Sequence, residues 1–121
     1  MIRDNQEAEL VAMIDVKDKS LLKLEGFADV PFFSSYEDFL ASGLTYDVAN
    51  IAVPNGLHVP IALQVLEDQK HVVIEKPLAL SRADAEKVIE RAAEVGRKVF
   101  VVMQNRYSPP SVWLKELVGS G

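Results

Sequence analysis

Residues 48–77 read VANIAVPNGLHVPIALQVLEDQKHVVIEKP, and this stretch decides the fold. Val48–Val53 is a mostly apolar run without strict alternation, the pattern of a buried strand, and Pro54-Asn55-Gly56 ends it. Val59, Ala62, Leu63 and Leu66 then recur at helical spacing, with Pro60 tolerated in the first turn. His71-Val-Val-Ile-Glu75 is a second buried strand, closed by Lys76-Pro77. A strand, a crossover helix and a second strand in 30 residues form a βαβ unit with parallel strands.

The pattern extends in both directions. Upstream, Glu9-Leu-Val-Ala-Met-Ile-Asp15 carries five consecutive apolar residues, as expected of a strand buried on both faces. Residues 17–25 (KDKSLLKLE) predict a short helix, and Asp29–Ser35 a short strand that Pro31 places at an edge. Ser35, with Asp38 three residues on, predicts a helix start. Downstream, Ser81 and Asp84 have the spacing of a capping box, followed by an apolar stripe of Ala85, Val88, Ile89, Ala92 and Val95. Gly96 is the expected stop, Lys98–Met103 a further strand, and Pro109-Pro110 the start of a last helix burying Trp113, Leu114, Leu117 and Val118. Buried strands alternating with amphipathic helices predict an α/β domain spanning 1–121: a parallel sheet flanked by helices.

Composition removes whole classes of function. At 121 residues, 49% apolar and 26% charged, the chain matches an ordinary globular domain. A net charge of −5 argues against nucleic acid as a partner. The absence of cysteine excludes disulfides, thiolate metal sites and thiol catalysis. No apolar run approaches the ~18 residues that span a bilayer, and MIRDNQEAE does not resemble a signal peptide. The expectation is a soluble, cytoplasmic domain with no membrane partner.

In an open parallel sheet, ligands bind at the carboxyl ends of the strands, where loops and helix N-termini converge. Those ends carry Asp15, then Pro54-Asn55 with His58, then Glu75-Lys76-Pro77, then Gln104-Asn105-Arg106-Tyr107. Asp15 either accepts hydrogen bonds from ribose hydroxyls, as a carboxylate does at that place in a dinucleotide fold, or serves as a turn aspartate. Lys17 beside it is placed to meet a 2′-phosphate. In Glu75-Lys76-Pro77, two charges sit against a sheet end, and Pro77 fixes the backbone and suits a cis bond. Lys76 there either donates to a substrate oxygen or forms an ion pair at the strand end. His58 either caps its helix or reaches a ligand from the same rim. His71, at the opposite sheet edge, is read as a surface residue. Arg106 with Tyr107 can clamp an anion or stack on a ring.

Together, Ile51-Ala-Val-Pro-Asn-Gly-Leu-His58, His71-Val-Val-Ile-Glu-Lys-Pro77 and Met103-Gln-Asn-Arg-Tyr107 resemble the N-terminal domain of the Gfo/Idh/MocA oxidoreductases, most of all bacterial sugar and nucleotide-sugar dehydrogenases. The resemblance implies a Rossmann-like domain binding NAD, with NADP disfavoured by Asp15 at the adenosine ribose. It implies that Pro54, Asn55 and His58 line the cofactor's path and that Glu75 bonds the nicotinamide ribose. Lys76 would be the catalytic lysine, aimed by a cis Pro77, with Gln104 and Arg106 at the nicotinamide end. A sugar or nucleotide sugar would be the substrate and a homo-oligomer the assembly.

Two departures from the family pattern stand out. The first strand with its Gly-x-Gly-x-x-Gly turn is missing before Met1–Asn5, which is read as the tail of the following helix, and so is the C-terminal substrate domain. The expectation is an incomplete, inactive fragment in which Leu10–Ile14 pairs with Val48–Val53 or with another copy, through exposed edges. The alternative is a non-catalytic α/β module for binding or assembly.

Overall fold

The structure is a computed structural model and describes residues 5–120. The helix tail expected at Met1–Asn5 falls almost wholly outside them. The chain divides into two compact units, Met1–Tyr46 and Asp47–Gly121.

In the first unit, β1 (Met13–Ile14) pairs in parallel with β2 (Phe32–Phe33), and α1 spans Tyr36–Ala41. The Met13 amide donates to the Pro31 carbonyl at 2.9 Å and the Asp15 amide to that of Phe33 at 3.2 Å. Ser35 caps α1 as expected, its hydroxyl accepting from the Asp38 amide at 3.0 Å. Phe39 is buried, with Phe33 and Tyr46 edge-on to it at 5.6 and 5.3 Å between ring centroids.

Two expectations for this unit are corrected. Glu9–Asp15 is not a strand buried on both faces. Only two of its residues join a ladder, and Ile14 is 44% exposed, because so short a partner covers little of it. Residues 17–25 form no α-helix. The Asp18 carboxylate accepts the Ser20 amide at 2.8 Å, so that a single 3-10 turn, Lys19–Leu21, forms and Leu22 leaves it extended. Along one edge, Met13 and Ile14 pair with Phe32 and Phe33.

The second unit holds the predicted parallel sheet. Its strands β3 (Val48–Ile51), β4 (His71–Ile74) and β5 (Val99–Val101) lie in the order β3-β4-β5, registered Ile51 to Ile74 and Ile74 to Val101. The strands are shorter than the apolar runs that predicted them. Helix α2 (His58–Glu67) packs on β3 and β4, and α3 (Arg82–Glu94) packs on α2. Ile51, Ala62, Val65, Leu66, Val72, Ile74, Val88 and Ala92 make the core.

Both helices end in the same device. Gly96 (φ 65°) and Gln69 (φ 56°) adopt left-handed backbone one residue past the cap. The next amide then turns back: Arg97 donates to the Ala92 carbonyl at 2.8 Å and Lys70 to that of Val65 at 3.2 Å. The Ser81 cap also stands, accepting from the Asp84 amide at 3.1 Å.

Burial is one-sided here. Val48 and Phe100 are about half exposed and Ile89 falls off the buried stripe, because only the face under α2 is covered within this unit. The last helix, α4 (Pro109–Gly119), forms where Pro109-Pro110 begins it, yet its expected core residues Trp113, Leu114, Leu117 and Val118 are exposed, Trp113 by 62%. Within the unit α4 packs chiefly against the Gln104–Tyr107 turn. Among the described residues no helix is long and apolar enough to cross a membrane.

Candidate functional site

The carboxyl ends of the second unit's three strands are built to a common plan. After β3, Pro54 starts a 3-10 turn (Asn55–Leu57) that runs directly into α2. After β4, Glu75-Lys76-Pro77 leaves the sheet, and the Lys76–Pro77 peptide bond is cis. After β5, a second 3-10 turn spans Gln104–Tyr107, with the Arg106 amide donating to the Met103 carbonyl at 3.0 Å.

Hydrogen bonds carry the sheet past its formal ends. The Glu75 amide donates to the Ile51 carbonyl at 3.0 Å, and the Val102 amide to the Ile74 carbonyl at 2.8 Å. Lys76 therefore departs from a point where three chains are still tied together. Glu75 is half-buried, whereas Lys76, Pro54, Asn55, Gln104 and Arg106 are exposed and Pro77 is half-buried.

Lys76, Met103, Gln104, Asn105 and Arg106 line one recess of about 190 Å³. That volume is below the ~300–1,000 Å³ of a pocket that encloses a whole ligand, and suits one ring or one small polar group. Lys76 makes no ion pair with Glu75 or with any other described carboxylate, so the strand-end ion pair is not what the structure contains. The wall these residues present to the recess is almost wholly carbon, so it offers the flat face of a ring an apolar seat, and no carboxylate is among its lining residues.

His58 is the first residue of α2 and is fully buried. Its Nδ1 lies 2.7 Å from the Pro77 carbonyl oxygen and its Nε2 2.9 Å from that of Val53. Both ring nitrogens are thus committed to backbone. His71 also has a structural task, its Nδ1 accepting the Lys98 amide at 3.0 Å between β4 and β5.

Asp15 lies in the first unit, where its carboxylate accepts the Lys17 amide at 2.8 Å and the residue is partly buried. That bond makes a tight turn of the Asp15 segment and leaves the second carboxylate oxygen uncommitted by it. The strand-end reading named Asn105 without giving it a role and left out Met103 as a lining residue. The signal was present, since both lie in the run Met103–Tyr107, but spacing alone does not show which members of a turn face a recess. Among the described residues no cluster of His, Asp or Glu is arranged to hold a metal ion.

Comparison with known proteins agrees with this architecture. Residues 1–103 match the Gfo/Idh/MocA family model, described as an oxidoreductase family with an NAD-binding Rossmann fold. The chain is 36% identical to an inositol 2-dehydrogenase of Rubrobacter xylanophilus over 94% of its own length and 33% of the relative's. It is 31% identical to an inositol 2-dehydrogenase of Salmonella typhimurium, over 93% and 34%. Among solved structures, the WlbA dehydrogenase of Bordetella pertussis, in complex with NADH and UDP-GlcNAcA, superimposes with a TM-score of 0.83 at 35% identity, over 94% of this chain and 35% of that one. The chain thus spans about a third of the length of the relatives it matches. Parallel strands whose carboxyl ends carry Pro54-Asn55, Glu75-Lys76-Pro77 and Gln104–Tyr107, together with the family match, place this chain in the Gfo/Idh/MocA family of oxidoreductases, within its NAD-binding Rossmann domain.

Proposed function

We propose that this chain is the cofactor-binding part of an NAD-dependent dehydrogenase that oxidises a hydroxyl-bearing carbon of a sugar, polyol or nucleotide sugar, with Lys76 as its catalytic lysine. The observation that carries the reading is the recess at the ends of β4 and β5, which gathers Lys76, Gln104, Asn105 and Arg106. Its mostly apolar wall suits the face of a ring, and Lys76, Gln104, Asn105 and Arg106 are the polar side chains nearest to hand for the groups such a ring carries. The relatives named as inositol 2-dehydrogenases, and the structure solved with NADH and UDP-GlcNAcA, indicate the substrate class.

In this reading NAD, when bound, supplies the hydride acceptor. Lys76 hydrogen-bonds the oxygen of the reacting carbon and stabilises the charge that develops there, an interaction strongest in the transition state. Gln104 and Arg106 hold the nicotinamide end, Glu75 the nearby ribose, and Pro54 and Asn55 the path between. Asp15 accepts hydrogen bonds from the adenosine ribose hydroxyls. The working assembly is a homo-oligomer: β3 and β5 are the edges of their sheet and α4 exposes an apolar face, both of which favour association.

A panel of sugar, inositol and nucleotide-sugar oxidations with the intact gene product, following NADH formation, tests this. Turnover with at least one member of the panel is expected. NAD binding without turnover anywhere in the panel would leave the chain a binding module.

A further inference from the structure

Lys76 is pinned on both sides by the stretch that runs from the end of β3 to the start of α2. On its N-terminal side the Glu75 amide is tied to the Ile51 carbonyl at 3.0 Å. On its C-terminal side the Pro77 carbonyl lies 2.7 Å from His58 Nδ1, while the same ring reaches the Val53 carbonyl through Nε2 at 2.9 Å. The imidazole is fully buried, so no water competes for either nitrogen. Carbonyl oxygens only accept. A hydrogen bond to either carbonyl therefore uses the proton on the ring nitrogen that faces it.

We propose that His58 is a positioning residue for Lys76: its ring spans the ends of β3 and β4 and holds the Lys76-Pro77 backbone at the angle that presents the lysine to the recess. The proposal rests on the reading of Lys76 as the catalytic lysine. Three features favour this role over plain core filling. A fully buried position could have held an apolar side chain, yet it holds a polar ring whose two nitrogens each lie within hydrogen-bond distance of a carbonyl. Both bonds go to residues flanking the strand ends that carry the candidate site, and neither goes to the helix that bears the ring. Lys76 itself is exposed and makes no ion pair with the described carboxylates, so its placement comes from its backbone rather than from a side-chain partner.

The test uses two variants that each keep one half of the bridge. An asparagine places its amide nitrogen roughly where Nδ1 lies, and a glutamine roughly where Nε2 lies. His58→Asn thus retains the bond to Pro77, and His58→Gln the bond to Val53. Lysines of the 121-residue chain are reductively methylated with a carbon-13 label and followed by NMR, the Lys76 signal being identified by its loss in Lys76→Ala. The Lys76 signal is expected to stay in place in His58→Asn and to move in His58→Gln, while the Lys87 signal stays in both. In the intact gene product, His58→Gln is expected to lower kcat by up to about 10²-fold, the scale of a misplaced catalytic group, and His58→Asn to recover most of it.

A Lys76 signal that moves equally in both variants or in neither, or unfolding of both by circular dichroism, would make His58 a core residue only and overturn the proposal. Turnover of Lys76→Ala separates the two readings. If Lys76→Ala stays active, the catalytic reading of the lysine falls whatever His58 does. If it is inactive while the signal ignores His58→Gln, only the positioning role falls.

Discussion

The Glu75 amide donates to the Ile51 carbonyl at 3.0 Å, so the pairing of β3 with β4 runs up to the residue immediately before Lys76. The lysine begins where the ladder ends. Its backbone is continuous with the hydrogen-bonded ladder, and its side chain lies outside the core.

Lys76→Ala in the intact gene product should reduce kcat by about 10²–10⁴-fold, the usual effect of removing a positioned proton-transfer group, with little change in KM. Its exposure predicts an unchanged melting temperature. Steady-state kinetics with a paired thermal melt check both halves. A wild-type kcat would remove the lysine from the chemistry.

NAD should give a higher kcat/KM than NADP. A carboxylate at Asp15 accepts ribose hydroxyls and repels a 2′-phosphate at short range. Asp15→Ala is expected to narrow the ratio, leaving Lys17 beside the vacated position. Measuring kcat/KM for both cofactors in both proteins decides it, and a preference for NADP in the unaltered protein contradicts the assignment.

Two leucines should behave oppositely. Leu66 is fully buried between α2 and the sheet, so Leu66→Ala should cost about 2–5 kcal/mol through lost burial and the cavity left behind. Leu117 on α4 is 53% exposed, and Leu117→Ala should change stability by no more than about 0.5 kcal/mol. Urea unfolding of both variants of the 121-residue chain provides the comparison.

Gln69 closes α2 in left-handed backbone at φ 56°, which costs a side-chain-bearing residue roughly 1–2 kcal/mol. Gln69→Gly keeps the backbone carbonyl that accepts from Arg97 and removes that cost. A gain of about 1 kcal/mol is expected, read as a raised melting temperature. No gain would show that the Gln69 side chain contributes as much as its backbone conformation costs.

Acid should loosen the chain through its capping carboxylates. Hydrogen bonds from Lys87, then from Ser81, hold Asp84 below the ordinary aspartate value. Ser20 does the same for Asp18, and Ser34 then Ser35 for Asp38. A carboxylate whose folded value is lowered contributes stability that is complete above the unfolded value and is lost as pH falls through the folded one. Stability should therefore be flat around neutrality and begin to decline below about pH 4. All three groups are exposed, so the decline should be shallow and weakened by salt. A melt series across pH at low and high ionic strength tests this.

Local chemistry determined much of this protein from its sequence. The caps at Ser35 and Ser81 and the stop at Gly96 depend on bonds within a few residues, and each is where the residue pattern put it. The parallel direction of β3, β4 and β5 also followed, because strand–helix–strand spacing permits little else. So did the gathering of Lys76, Gln104 and Arg106, since the topology brings the carboxyl ends of neighbouring strands to one edge. Tertiary structure decided the rest. An apolar run shows that a segment can be buried, not whether anything lies against it: Leu10–Ile14 contributes two residues to a ladder, and Trp113 and Leu117 stay exposed over the turn that α4 packs on. Nor does the sequence say which oxygens a buried ring will meet. His58 acquired its two carbonyl partners because α2 begins between the ends of β3 and β4, and the distance across that gap is set by the sheet.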